Sequence, residues 1–242
     1  MKQPFLADEK CQLCCSPRYL GLTMTSVFDP AFDDLPPEIP IFPLAGVLLL
    51  PQGKLPLNIF EPRYLNMTTT ALGGSRLIGM VQPNETKGGE QPNVYRTGCA
   101  GRITAFSETE DGRYLITLNG VCRFNIVQEL PLKEGYRLVV PEWRPYRGDL
   151  TEEDARRIDR DRILATLKNY FSSNQIEVNW EAIKDTPTDR LINAIAMMCP
   201  FQPSEKQALL EATNLYERAN ILITLLEMSL AANDDNTHLR RN

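Results

Sequence analysis

Histidine, cysteine, serine and paired carboxylates are the residues with which an unmodified chain does covalent or acid–base chemistry. This sequence places them poorly for it. The one histidine, His238, sits in the polar run NDDNTHLRRN, where no apolar periodicity would hold it against a serine or cysteine nucleophile. No G-x-S-x-G elbow occurs. The one Gly-Lys pair, Gly53-Lys54, runs into Leu55 and Pro56 rather than the Ser/Thr and helix start of a phosphate-cradling loop. No serine stands in a setting that points to a Ser-Lys dyad. Glu152-Glu153 and Asp234-Asp235 read as solvated faces. Arg156, Arg157, Arg160 and Arg162 interleave with Glu153, Asp154, Asp159 and Asp161, which reads as surface ion pairing rather than a phosphate track. The expectation is a chain with no catalytic residues and no cofactor.

Metal chemistry would have to begin at Cys11, Cys14 and Cys15, of which Cys11 and Cys14 have CxxC spacing. A closed zinc site needs four ligands, usually from two such pairs, and the remaining cysteines, Cys99, Cys122 and Cys199, form no second pair. No metal site is expected. The first three read as free thiols in a leader.

The charge balance is 26 basic to 31 acidic residues, or −5 overall. Non-specific nucleic-acid binding needs a positive, phosphate-neutralising surface, so this balance argues against it. No run of about 18 apolar residues occurs, which argues against a membrane-spanning helix, and FLADEKCQLCC interrupts any signal-peptide core. The chain reads as cytoplasmic. With 242 residues, 43 % of them apolar, it can bury a core without metals or disulfides.

The elements that would position a site fall into two groups. Residues 1–38 read as an unstructured leader, and Met24 offers an alternative start. IPIF and VLLL read as short buried strands bounded by prolines. KLPLNIF alternates, with Leu55, Leu57 and Ile59 on one face. The internal prolines put these strands at edges or at bends. At Glu61 the period switches to a helix, with Pro62 in its first turn and Gly73-Gly74 at its end. RLIGMVQP returns to a strand, and residues 84–93 form a polar loop. Asp111-Gly112 and Asn119-Gly120 read as two hairpin turns, and YRLVVPEWRPY closes the β-rich part, 39–147. From 148 to 232 the pattern is helical. Thr151 with Asp154 resembles a capping box, Thr186-Pro187 reads as a second helix start, and Met197 and Met198 read as helical core. Leu215, Ala219, Leu222, Leu226 and Leu230 form an apolar stripe. Residues 233–242 read as a polar tail. The fold class expected is α+β: a β pseudo-barrel with one inserted helix, then a helical subdomain.

Two sets of residues are candidates for binding. Phe60, Glu61, Arg63 and Tyr64 stand at the strand–helix corner, where an extended segment could dock against a sheet edge. The same corner has a structural reading, in which Ile59 and Leu57 fill the barrel and Glu61 pairs locally with Arg63. Trp143 and Tyr146, beside Arg144, are residue types that anchor interfaces. They suit equally well the packing between the two parts.

The string IPIFPLAGVLLLPQGKLPLNIFEPRYLNM, continued by RLIGMVQP, Gly98-Cys99-Ala100-Gly101-Arg102-Ile103 and Leu118-Asn119-Gly120 through Arg123-Phe124, closely resembles the LON substrate-binding domain that opens the Lon protease family. The resemblance covers about residues 39 to 230. It implies a PUA-like barrel with a packed helix and a helical subdomain, and a role in capturing client polypeptides ahead of an ATPase and a Ser-Lys peptidase. No Walker motif and no peptidase segment occur here, so the chain looks like a stand-alone LON-domain protein of bacteria, and a "peptidase S16" label would be inherited from the domain. The function expected is non-catalytic protein or peptide binding, as an adaptor or quality-control factor, with client polypeptides or a separate protease or ATPase as partners. The alternative is a PUA-like module for RNA or a small ligand, motivated by Arg96, Arg102, Arg113 and Arg123.

Overall fold

The computed structural model describes residues 28–84, 93–151 and 155–239. Cys11, Cys14, Cys15, Met24 and the capping pair to Asp154 lie outside the described residues. A 3-10 turn at Phe32–Asp34 leads into strands β1 (Ile39–Pro43) and β2 (Lys54–Ile59), then helix α1 (Pro62–Leu72). The strands β3 (Leu77–Val81), β4 (Pro83–Asn84), β5 (Asn93–Val94), β6 (Thr97–Glu108), β7 (Tyr114–Lys133) and β8 (Tyr136–Glu142) follow. A 3-10 segment at Arg144–Leu150 leads to α2 (Arg160–Ser173), α3 (Trp180–Asp185), α4 (Thr188–Met198), α5 (Pro203–Glu211) and α6 (Leu215–Leu239).

The main sheet has the order β2-β7-β6-β3-β1-β8, and β8 pairs again with β7. The twenty residues of β7 make this closure, since the first half of the strand pairs with β2 and the second half with β8. All pairings are antiparallel except β1 with β3. A closed sheet has no edges within its ring. β2 stands outside the ring and, among the described residues, has β7 as its one neighbour, so it is an edge strand, where Pro56 is accommodated. β1 is not. It carries Pro40 and Pro43 yet pairs on both sides, with β3 and β8.

Two further expectations are corrected. VLLL, 47–50, is not a strand. Leu48, Leu49 and Leu50 are buried in an irregular segment that packs across the barrel, and an apolar run signals burial before it signals a ladder. Asn119-Gly120 is not a turn but lies inside β7, next to a register shift against β6. A Cβ on Gly120 would stand 2.0 Å from Leu50 O, so this glycine admits the 47–51 segment against the strand. Asp111-Gly112 is the hairpin turn expected, with Gly112 at φ +81° and the Thr109 amide donating to Arg113 O across it.

In the helical part, α2 starts at Arg160, capped by the Asp159 carboxylate, which accepts from the Arg162 amide at 3.0 Å. Thr151 instead closes the preceding 3-10 segment on Gly148 O. Pro187 precedes α4 at its N-cap rather than occupying its first turn. Arg160 is not a surface ion pair: it donates to Ile183 O, Lys184 O and Thr186 O at the end of α3. The α6 stripe buries Leu215, Ala219, Leu222 and Leu226 as expected, and that helix continues to Leu239. One apolar cluster runs without a break from Leu48, Leu57 and Tyr64 of the barrel to Leu191, Leu222 and Leu226 of the helices.

Candidate functional site

Pro62, at the first position of α1, has no amide hydrogen to leave unsatisfied, and Glu61 before it is extended at φ −72° and ψ 133°. The Glu61 side chain does not cap the helix. It accepts from Arg63 Nε at 2.9 Å and Nη2 at 2.8 Å, with both side chains nearly half exposed. The Arg63 guanidinium lies 4.5 Å from the centroid of the Tyr64 ring. Tyr64 turns inward onto Phe42, at 4.2 Å between centroids, and burial pushes its hydroxyl pKa up against the opposing pull of Arg63. Leu57 and Ile59 fill the barrel. Phe60 points the other way and leaves 64 % of its surface in water.

These residues border a cleft of about 680 Å³ that is lined by β2 from Lys54 to Asn58. The 43–53 segment and β2 form one wall. The other is α4, through Arg190, Asn193, Ala194, Met197 and Met198. The Met197 sulfur lies 2.3 Å, and Leu50 O 3.0 Å, from where a Cβ on Gly53 would sit, so this wall is closely packed at the glycine. Asn193 donates to Pro51 O at 3.2 Å and accepts from the fully buried Arg218 at 3.0 Å, so the two walls are tied through the core. The expectation that Met197 and Met198 are core is corrected for Met198, which is 44 % exposed, whereas Met197 packs against the core cluster while also lining the cleft. Flexible thioethers suit varied apolar partners.

The backbone of β2 adds a second kind of contact. The Gly120 amide donates to Gly53 O, and this fixes the alternation along the strand. Leu55, Leu57 and Ile59 exchange hydrogen bonds with β7, while Lys54, Pro56 and Asn58 turn their peptide groups outward. Pro56 thus falls where its missing N–H takes nothing from the ladder.

Lys206, from α5, reaches the cleft while only 6 % exposed. Its ammonium donates to Gly46 O at 2.8 Å and Met197 O at 3.3 Å, and burial pushes its pKa below the usual lysine value.

Trp143 and Tyr146 lie elsewhere, among residues of a separate core cluster. The Trp143 indole donates to Pro36 O at 2.9 Å and meets Phe124 edge-on at 5.5 Å. The Tyr146 hydroxyl donates to Asn125 Oδ1, and its ring lies under the Arg123 guanidinium. These contacts are with the barrel and the segment that precedes it, away from the corner at Phe60 to Tyr64. The arginines that motivated an RNA reading are each engaged. Arg102 pairs with Asp29, Arg113 pairs with Asp111, Arg96 reaches Ile126 O, and Arg123 is buried against Asp149. The α4 wall was missed in the sequence, although Arg190, Ala194, Met197 and Met198 follow a second stripe of spacing four, three and one. Lys206 left no signal.

A family model described as the ATP-dependent protease La (LON) substrate-binding domain matches residues 38–228. A Lon protease from Flavobacterium johnsoniae is 28 % identical over 193 residues, covering 77 % of this chain and 23 % of that protein. A Lon protease from Brevibacillus choshinensis is 26 % identical over 200 residues, 78 % of this chain and 24 % of the relative. The chain thus spans about a quarter of the length of these relatives. Among solved structures, the Lon N-terminal domain protein from Xanthomonas campestris aligns with a TM-score of 0.55 at 19 % identity, covering 77 % of this chain and 97 % of that one. The N-terminal domain of a Mycobacterium avium complex Lon protease aligns with a TM-score of 0.57 at 15 % identity, covering 78 % and 98 %. The structural likeness is one of fold. Among the described residues, no helix is long and apolar enough to cross a membrane.

Proposed function

We propose that this chain, which belongs to the ATP-dependent protease La (LON) substrate-binding domain family, holds extended segments of other polypeptides in the cleft along β2. The observation that carries the reading is the pairing of an unpaired strand edge with an apolar wall. Outward peptide groups at Lys54, Pro56 and Asn58 offer hydrogen bonds to any sequence, and Phe60, Met197 and Met198 offer adaptable apolar contact. Strand addition of this kind derives affinity from the main chain and selectivity from side-chain pockets. The role is one of binding, as an adaptor or quality-control factor that presents clients to a protease or ATPase.

The test is fluorescence anisotropy with a labelled, permanently unfolded polypeptide, comparing the full chain with a Phe60→Ala/Met198→Ala double variant whose fold is checked by circular dichroism. Both side chains are exposed, so the fold should hold. Removing two anchors should weaken binding at least about tenfold. Undiminished binding by the folded double variant would move the site away from the cleft. Retention of RNA with no polypeptide bound would replace the reading with the RNA alternative.

A further inference from the structure

The cleft is asymmetric along its length. Its end beyond Ile59 holds Phe60, the Phe42–Tyr64 pair and the mutually compensated Glu61–Arg63 pair. Its basic end lies at the strand's start. Lys54 is the first residue of β2, and Lys206 is anchored on Gly46 O and on Met197, whose sulfur packs against Gly53. The charge of this region opposes that of the chain. The protein carries −5 overall, yet among the described residues lining the cleft the cations Lys54, Arg63 and Lys206, besides an engaged Arg190, face a single acid, Glu61. That acid is taken by Arg63. Among the described residues, no carboxylate pairs with Lys54 or Lys206. An ammonium has three protons, and the two carbonyls on Lys206 use two of them. A buried cation without a counter-charge is unfavourable unless something supplies one.

We infer that the cleft reads polypeptide C-termini: an apolar segment pairs antiparallel with β2 and seats its terminal carboxylate between Lys206 and Lys54. This rests on the reading of the cleft as a polypeptide site and adds to it a direction and an end. Antiparallel addition to a strand running from Lys54 to Ile59 brings the guest's last residue to Lys54. Parallel addition would bring an amino terminus against the same cations and be repelled. A carboxylate at Lys206 completes the third hydrogen bond and neutralises the charge in one contact, and charge-assisted bonds in a desolvated setting are the strong ones.

The experiment uses three rhodamine-labelled decapeptides of alternating leucine and serine: one with a free C-terminal carboxylate, one amidated, and one amidated with a single internal aspartate. Anisotropy is read against the full chain, Lys206→Met and Lys54→Met, with folding checked by circular dichroism. The free acid is expected to bind at least about tenfold more tightly than the amide. The difference should vanish in Lys206→Met and shrink in Lys54→Met. Lys54→Met carries the test alone if Lys206→Met does not fold. Equal binding of acid and amide overturns the terminal anchor and leaves the polypeptide cleft standing. Binding of the internal aspartate peptide as tightly as the free acid also overturns it, in favour of a side-chain carboxylate. Failure of all three peptides on the folded full chain removes the polypeptide reading itself.

Discussion

Arg123 is 2 % exposed in the middle of β7, and its surroundings explain how barrel and helices are held in one arrangement. The guanidinium grips the Asp149 carboxylate through Nε and Nη2, and Nη1 reaches Leu210 O and Ala212 O at the end of α5. A bidentate pair with its further donors placed on carbonyls is the geometry in which a buried ion pair is tolerated. Losing one partner leaves the other charge in the core. Arg123→Met should therefore cost about 3–5 kcal/mol in denaturant unfolding, whereas Arg123→Met combined with Asp149→Leu should recover a large part of that loss. Equal loss in both variants would show that the carbonyl contacts, not the ion pair, hold this junction. In the sequence Arg123 reads as one of four basic residues of the β-rich part. Its partner is 26 residues away along the chain, and no local pattern marks a pair joined only by the closure of a barrel. Glu61 with Arg63, two residues apart, is legible for the opposite reason: the contact is local.

Among the elements, β2 owes its character to Pro56 and to its position outside the closed ring. Both are readable in part, since a proline in an alternating strand signals an edge. That β1, with two prolines, is internal is not readable, because it depends on which strands flank it. The 47–51 segment shows how burial and ladder can separate. Three leucines fill the core without pairing, and the strand they cross must be bare at the point of contact. Gly120→Ala places a methyl group against Leu50 O and has to lift that segment, which carries Pro51 and Gln52 of the cleft wall. The expected cost is about 1–3 kcal/mol in a thermal or denaturant melt, with polypeptide affinity falling alongside. Wild-type stability in Gly120→Ala would contradict the close approach and the account of this wall. The Asn-Gly pair reads as a turn because the same glycine serves a tight reversal or a close approach, and the sequence alone does not separate the two.

At the scale of the whole molecule, one apolar core spans the barrel and the helices, and the cleft exists only where the two meet, between β2 and α4. This is why the barrel side of the site, Phe60 to Tyr64, is legible as a motif while Met197, Met198 and Lys206 are not. The first set shares one stretch of chain; the second is brought in by packing some 140 residues later. The α+β class, the inserted helix and the closing stripe of α6 are carried by period and punctuation, and they stand as read. The central claim is that the outer edge of β2 pairs with an extended guest, and residue-resolved amide hydrogen exchange, with and without a bound unfolded polypeptide, tests it most directly. The Lys54 and Asn58 amides, which face away from β7, should exchange quickly in the free protein and be protected at least about tenfold on binding, while Leu55, Leu57 and Ile59, already paired with β7, change little. Unchanged exchange at Lys54 and Asn58 with new protection around Trp143 and Tyr146 would contradict the account and place the binding surface at that second patch.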